Sequence, residues 1–208
     1  MEKDKKSRRQ GKRGAAAKLK SKLSTSFKNI CASLTNLNIS PWDPGLSPPQ
    51  RIHRKEHIIA QDSKGHDYST VYRDCFDATL TWIFIEEPFL VDSFSIGNFK
   101  YFCATAKKFS PNLTKVTLVS RMMMEKKKEN EKVAESLEEK VDKLKDDLKE
   151  LGLEMDCVFD KDLHDRSISF SNGWFVKSGR GLHYFLTEEK NYAKRKCRKT
   201  SLDFFFCV

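Results

Sequence analysis

Three short runs rich in β-branched and aromatic residues constrain this chain most: LTWIFIEEPFL at 80–90, TKVTLVS at 114–120 and EMDCVFD at 154–160. Each has the length and composition of a buried strand, and Pro88 stops the first. The stretches between them carry helical spacing instead. SIGNFKYFCATAKKF, from Ser95, predicts one helix. The segment 121–152 predicts a second, with Val133, Leu137, Val141, Leu144, Leu148 and Leu151 on a narrow apolar stripe and Gly152 as its stop. The rest of that surface is Glu and Lys, a solvated face or one side of a short coiled coil. YSTVYRDCFDAT, from Tyr68, predicts a further amphipathic helix with apolar residues at 68, 71, 72, 75, 76 and 80. Strands alternating with helices are joined by crossovers. The expected class is therefore α/β, a mostly parallel sheet with helices on both faces.

After the third strand the pattern changes. RSISFSNGWFVKSG predicts a hairpin turning at Asn172-Gly173, and SLDFFFCV a last strand. Upstream, SPWDPGLSPPQ at 40–50 holds four prolines and a glycine, so it reads as a linker, with the folded domain expected from about residue 57. Residues 1–50 are expected to be a basic tail. It opens with the charged run MEKDKKSRRQGKR, either a solvated arm, a nuclear-import patch or a lipid-attracted arm. At about 15–38 an amphipathic helix is expected, with Leu19, Leu23, Phe27, Ile30, Leu34 and Leu37 on one face, suited to docking on a protein or lying on an anionic membrane.

The formal net charge of +10 favours anionic partners: nucleic acid, acidic lipid or acidic protein. Six cysteines occur without a C-x-x-C pair or zinc spacing, which reads as reduced thiols in an intracellular protein with neither metal nor cofactor. No apolar run reaches the ~20 residues of a membrane span, so any membrane contact is expected to be peripheral.

The chemistry concentrates in LHDRSISFSNGWFVKSGRGLHYF at 163–185. Together with WIFIEEPFL and NFKYFCATAKK, this stretch resembles the C-terminal phospholipase-D-like domain of the MIT-domain-containing cytokinesis protein family. The likeness runs from about 66 to 206 and is most specific in the H-D-R, N-G-W and G-R-G-L-x-Y-F series. It implies a phospholipase-D-like mixed sheet in a domain spanning 57–208. It also implies a homodimer, binding to acidic phosphoinositide membranes, and a place in cytokinesis and abscission at midbody or endosomal membranes, on the cytoplasmic side. No lipase activity is attributed to that domain. In the family an N-terminal three-helix MIT domain binds ESCRT-III tails; residues 1–50 accommodate one helix rather than three, so ESCRT-III association is a weaker expectation. Residue 183 is usually acidic in the family and is His here.

Phospholipase D chemistry uses H-x-K-x-x-x-x-D from each of two halves or subunits, one histidine as nucleophile and the other as acid. Here the run is His164, Asp165, Arg166, then Ser171 in the place of the acid. Arginine still holds a phosphate; serine supplies no charge to an imidazolium. His164 and Arg166 are thus weak catalytic candidates, and the expectation is no enzyme. The candidate phospholipid-binding residues are Arg166, Lys177, Arg180, His183, Lys194, Arg195 and Lys196. Glycines in K-S-G-R-G let backbone N–H groups approach an anion, and the basic run from Lys190 to Lys199 adds charge. A phosphodiesterase using paired His164 and an electrostatic nucleic-acid binder are the alternatives, the latter disfavoured because no base-reading motif appears.

Overall fold

The structure, a computed structural model, describes residues 50–90, 92–121 and 137–208. The basic tail with its expected helix, most of the linker, and Val133 lie outside them. The elements are β1 (Arg51–Ile59), α1 (Tyr68–Val71), β2 (Trp82–Glu86), α2 (Ser93–Phe109), β3 (Lys115–Ser120), α3 (Leu137–Glu150), β4 (Glu154–Phe159), β5 (Ser167–Phe170), β6 (Trp174–Ser178) and β7 (Thr200–Cys207). Short 3-10 turns sit at Arg73–Cys75 and Tyr192–Lys194.

All seven strands join one sheet in the order β1-β7-β6-β5-β2-β3-β4. Only β2–β3–β4 pair in parallel; every other neighbour is antiparallel. The mixed sheet is as expected, but "mostly parallel" is corrected: the hairpin and the last strand add an antiparallel half on the β2 side. The two crossovers, β2–α2–β3 and β3–α3–β4, step the same way along the sheet. A constant crossover hand then lays both helices on one face. Packing agrees, since Phe99, Phe102 and Ala106 of α2 and Leu144 and Leu148 of α3 join one cluster with Ile83, Ile85, Val116, Leu118, Ile168, Val176 and Phe204 of the sheet. Val119, Val158 and Phe175, on the opposite face, are buried but stand outside that cluster. The expected helices on both faces are thus met on one face among the described residues.

Local chemistry explains the boundaries. Asp92 caps α2, its carboxylate accepting from Ser95 N at 2.7 Å while Ser95 Oγ accepts from Asp92 N at 3.0 Å. Lys107 and Lys108 lie in the last turn, where cations meet the negative end of the helix. α3 stops at Gly152, whose φ of 72° lets Leu153 N–H reach back to Leu148 O at 3.0 Å. The apolar stripe of α3 is buried through Val141, Leu144 and Leu148, so packing within the domain accounts for it without a coiled coil. The stretch from Tyr68 holds less helix than its spacing predicts: one four-residue turn, then a 3-10 turn. Asp77 breaks it by accepting from Thr79 N and Leu80 N, which swings the chain into β2. All six apolar residues of that stretch are nevertheless buried.

The core is aromatic on the helix side. Tyr68, Tyr72, Phe99, Phe102, Tyr184, Phe185 and Phe204 are fully buried, and burial of each such side chain is worth ~2–3 kcal/mol. Sequence reading missed β1, placing the domain start near 57 when the strand begins at Arg51. Its alternation is masked by Arg51, His53, Arg54, Lys55 and His57, which an edge strand tolerates and a central strand does not.

Candidate anion-binding site

The sheet topology brings separated pieces of the K-S-G and H-D-R runs to one place. β5 runs antiparallel to β2, so its first residues lie beside the carboxyl end of β2. β6 runs back to that end, and β7 starts from it. Ligands of open sheets with parallel strands favour the carboxyl end of those strands. Here an open depression of about 390 Å³ is lined by His164, Asp165, Arg166, Ser167, Lys177, Ser178, Gly179, Ser201 and Asp203. Ser167 faces Lys177 across β5–β6, and Lys177 faces Asp203 across β6–β7.

The lining is mixed in charge. Lys177 and His164 are exposed, and Arg166 is about a quarter exposed with one terminal nitrogen donating to Gly179 O at 3.1 Å. Asp165 and Asp203 oppose them, Asp203 lying 3.1 Å from His53 Nε2. Gly179 and Arg180 are exposed. Arg180 Nε donates to Lys199 O at 3.2 Å, so its charge is tied to backbone rather than to a carboxylate. Gly179 N–H donates to Ser201 O, which removes one of the amides that sequence reading offered to an anion. Among the described residues no hydrogen bond or ion pair fixes His164.

Beneath the bend lies a group outside the candidate residues drawn from the sequence. Glu87, directly after β2, is fully buried. Its Oε2 accepts from Leu182 N at 3.1 Å and its Oε1 from Phe89 N at 3.3 Å. Gly181 leaves room for it: at φ 56°, a Cβ there would fall 1.9 Å from Glu87 Oε2. Tyr68, from α1, donates its hydroxyl to Leu182 O at 2.6 Å. Leu182 is thus held through both its N–H and its C=O by buried side chains.

Two cationic candidates turn toward this carboxylate. Arg166 Nε and His183 Nε2 stand 3.6 Å and 3.7 Å from Glu87 Oε1, too far for hydrogen bonds. Arg166 Nε and both ring nitrogens of His183 are buried without a partner. Burial pushes the Glu87 carboxyl up to about 7, against the pull of its two N–H donors and Arg166. Burial pulls His183 down to about 4, Arg166 and Arg198 acting in the same direction and Asp92 opposing. His183 is therefore corrected as a surface cation: it is mostly buried, and at neutral pH it is uncharged.

Arg195 is corrected too. It is 7% exposed, with Nε on Glu189 O at 2.6 Å, a terminal nitrogen on Asn98 Oδ1 at 3.0 Å, and its guanidinium 3.5 Å from the Tyr192 ring. Tyr192 stacks in turn on Tyr101, with ring centroids 3.5 Å apart. Arg195 is a core cation with Nε and one terminal nitrogen engaged. Its neighbours Lys194 and Lys196, with Lys190, Arg198 and Lys199, are exposed.

The acid position of the motif is likewise not where its role requires. Ser171 follows the far end of β5, where its Oγ accepts from Thr81 N at 2.8 Å and Trp82 N at 3.2 Å. At about 3.3 Å per residue along a strand, that end lies well beyond contact with His164. The replacement of acid by serine therefore leaves the orientation of His164 untouched. What His164 lacks is a partner at its own end.

The sequence profile of the family described as the phospholipase D-like domain at the C-terminus of MIT matches residues 65–205. MIT domain-containing protein 1 of Mus musculus is 27% identical over 160 residues, covering 74% of this chain and 62% of that protein. The chain thus spans less than two thirds of this relative. Among solved structures, the Nuc phospholipase D family member of Salmonella typhimurium is 11% identical, with a TM-score of 0.40 over 74% of this chain and 84% of that one. Polyphosphate kinase of Porphyromonas gingivalis is 12% identical, with a TM-score of 0.39 over 74% of this chain and 23% of that one. At TM-scores this low neither structure bears on function. Among the described residues, no cluster of His, Cys, Asp or Glu could hold a metal ion, and no helix is long and apolar enough to cross a membrane.

Proposed function

The chain belongs to the family of phospholipase D-like domains at the C-terminus of MIT proteins, and from that premise we propose that it holds acidic phospholipid headgroups, phosphoinositides among them, without cleaving them. The observation that carries this reading is the gathering of Arg166, Lys177 and Gly179 in one open depression, next in sequence to exposed Arg180. The exposed lysines and arginine between 190 and 199 extend the cationic surface, each worth about 1 kcal/mol beside an anionic bilayer. Arg195 and His183 take no part in it. By family, the module works as a homodimer at the cytoplasmic side of a membrane, in cytokinesis or membrane remodelling. An ESCRT-III partner is not part of the proposal.

Holding without cutting follows from His164. A nucleophilic imidazole needs a second group on its other nitrogen to fix its tautomer and bear its charge. Arg166, which lines the same pocket, supplies no such group: its Nε stands toward Glu87 and a terminal nitrogen donates to Gly179 O. The competing reading, a phosphodiesterase pairing two copies of His164, draws on the exposure of that side chain in the pocket. Hydrolysis of a lipid or nucleic-acid phosphodiester that disappears in His164→Ala would establish it.

Flotation with neutral vesicles and with vesicles containing phosphoinositide tests the main reading. Recovery is expected only with the acidic lipid, and Lys177→Glu/Arg180→Glu is expected to weaken binding by about tenfold or more. Equal recovery on neutral vesicles overturns it. A gel shift at physiological salt with a duplex DNA gives the outcome for a nucleic-acid surface.

A further inference from the structure

The pocket and the buried cluster share one residue. Arg166 lines the depression on one side and faces Glu87 on the other. Glu87 in turn holds the bend that supplies Gly179 to the same depression, through Leu182. One carboxylate therefore sets both the shape of the bend and the electrostatic demand on the arginine.

Resting on the reading that this pocket takes a phosphoryl group, we propose that Glu87 is its positioning residue: the buried carboxylate fixes the 179–182 bend and draws the Arg166 guanidinium inward, and loss of its charge releases Arg166 toward a phosphoryl oxygen.

The surroundings leave Glu87 alone in that role. On its own strand, Glu86 is engaged by Ser167 Oγ. From the segment before β5 comes Arg166, and from the loop after β6 comes His183. Asp92 at the start of α2 and Arg198 before β7 act on His183. Tyr68 and Tyr72, of α1 and its cap, feel Glu87 but titrate far above neutrality. His183 is uncharged through the neutral range. An anion arriving at Arg166 repels the Glu87 carboxylate, so anion binding and proton uptake by Glu87 favour each other. The Arg166–Glu87 contact, at 3.6 Å and without a hydrogen bond, is loose enough to be given up.

The test uses the full chain and vesicles of phosphatidylcholine with phosphatidylglycerol, whose phosphodiester keeps one negative charge between pH 6 and 8. The measured quantity is the ratio of Kd at pH 8 to Kd at pH 6. For wild type it is expected to exceed the ratio for Glu87→Gln by about three- to tenfold. Comparing the two proteins cancels other titrating groups. At pH 8 Glu87→Gln is expected to bind more tightly than wild type; a merely structural role would weaken binding at both pH values and leave the ratio unchanged. Free sulfate, also constant in charge, replaces the vesicles in a second arm. The same ratio with sulfate makes any accessible anion the ligand, and a ratio confined to vesicles makes it a headgroup.

Equal ratios in wild type and Glu87→Gln overturn the proposal while leaving binding intact. Absence of wild-type binding in both arms removes the pocket reading and this proposal with it. Should Glu87→Gln fail to fold, titration calorimetry of His164→Gln at pH 7 in two buffers decides. Uptake of about half a proton per bound anion supports the proposal, and no uptake overturns it.

Discussion

The two ends of β5 are built on opposite terms. At the far end, Ser171 accepts two backbone N–H groups, Asn172 donates to Cys75 O and to Asp77, and Gly173 turns the hairpin at φ 94° against Phe206. Only the amide oxygen of Asn172 goes unpaired there. At the near end, neither ring nitrogen of His183 nor Arg166 Nε has a hydrogen-bond partner, and a carboxylate is buried among them. Buried polar groups without hydrogen-bond partners cost stability, so of the two ends of β5 the near one carries the larger cost. The far end closes the fold; the near end is left poised.

The sharpest way to break this contrast is glycine replacement at both ends. Gly181→Ala places a methyl group against the Glu87 carboxylate at a positive φ, so a loss of about 2–4 kcal/mol is expected in denaturant unfolding. Gly173→Ala, at φ 94° with Phe206 ring atoms at 3.1 and 3.2 Å, meets a side chain that can shift. About 1–2 kcal/mol is expected there. Equal losses would erase the distinction.

A pH series sharpens it next. Glu87 has its pKa raised from 4.5 to about 7, so its contribution to stability is fully present below 4.5 and lost as pH rises through 7. His183 has its pKa lowered from 6.5 to about 4, so its contribution is present above 6.5 and lost as pH falls through 4. The two slopes oppose each other between roughly 4.5 and 6.5, and wild type should be nearly flat there. In His183→Gln the Glu87 slope stands alone. That variant should lose on the order of 2 kcal/mol of stability from pH 4.5 to 6.5, read by chemical denaturation. A flat profile in the variant would mean that Glu87 is not the titrating group.

Smaller effects belong to the far end and the surface. Ser171→Ala should cost about 1–2 kcal/mol by orphaning the N–H groups of Thr81 and Trp82, with no change in vesicle binding. Lys194→Ala should do the reverse, weakening vesicle binding several-fold while stability moves by less than about 0.5 kcal/mol.

Much of the fold was legible because the apolar spacing reports burial directly. β3, β4 and α2 stand within two residues of their expected places, β2 starts two residues later and ends four earlier than its run, and the Asn172-Gly173 hairpin stands where its turn chemistry puts it. β1 was hidden because edge strands carry charges that blur alternation, and the stretch from Tyr68 because burial at helical spacing is also met by a broken helix. Arg166 and Lys177, chosen by residue type, and Gly179, chosen from the glycine bend, line one depression. The orientations of His183 and Arg195 were not legible. Whether a cation in a basic run points out or in depends on what stands behind it, here Glu87 and the Tyr101–Tyr192 stack, far away in sequence. Glu87 itself left one trace, an acid following an apolar strand directly.

The charge-laden strand β1 has a further consequence. It borders the sheet, with one row of backbone donors and acceptors facing away from β7. Arg51, Arg54 and Lys55 make stacking a second molecule edge to edge there electrostatically costly. Wherever copies of the domain are crowded together, such a border discourages runaway polymerisation into fibrils.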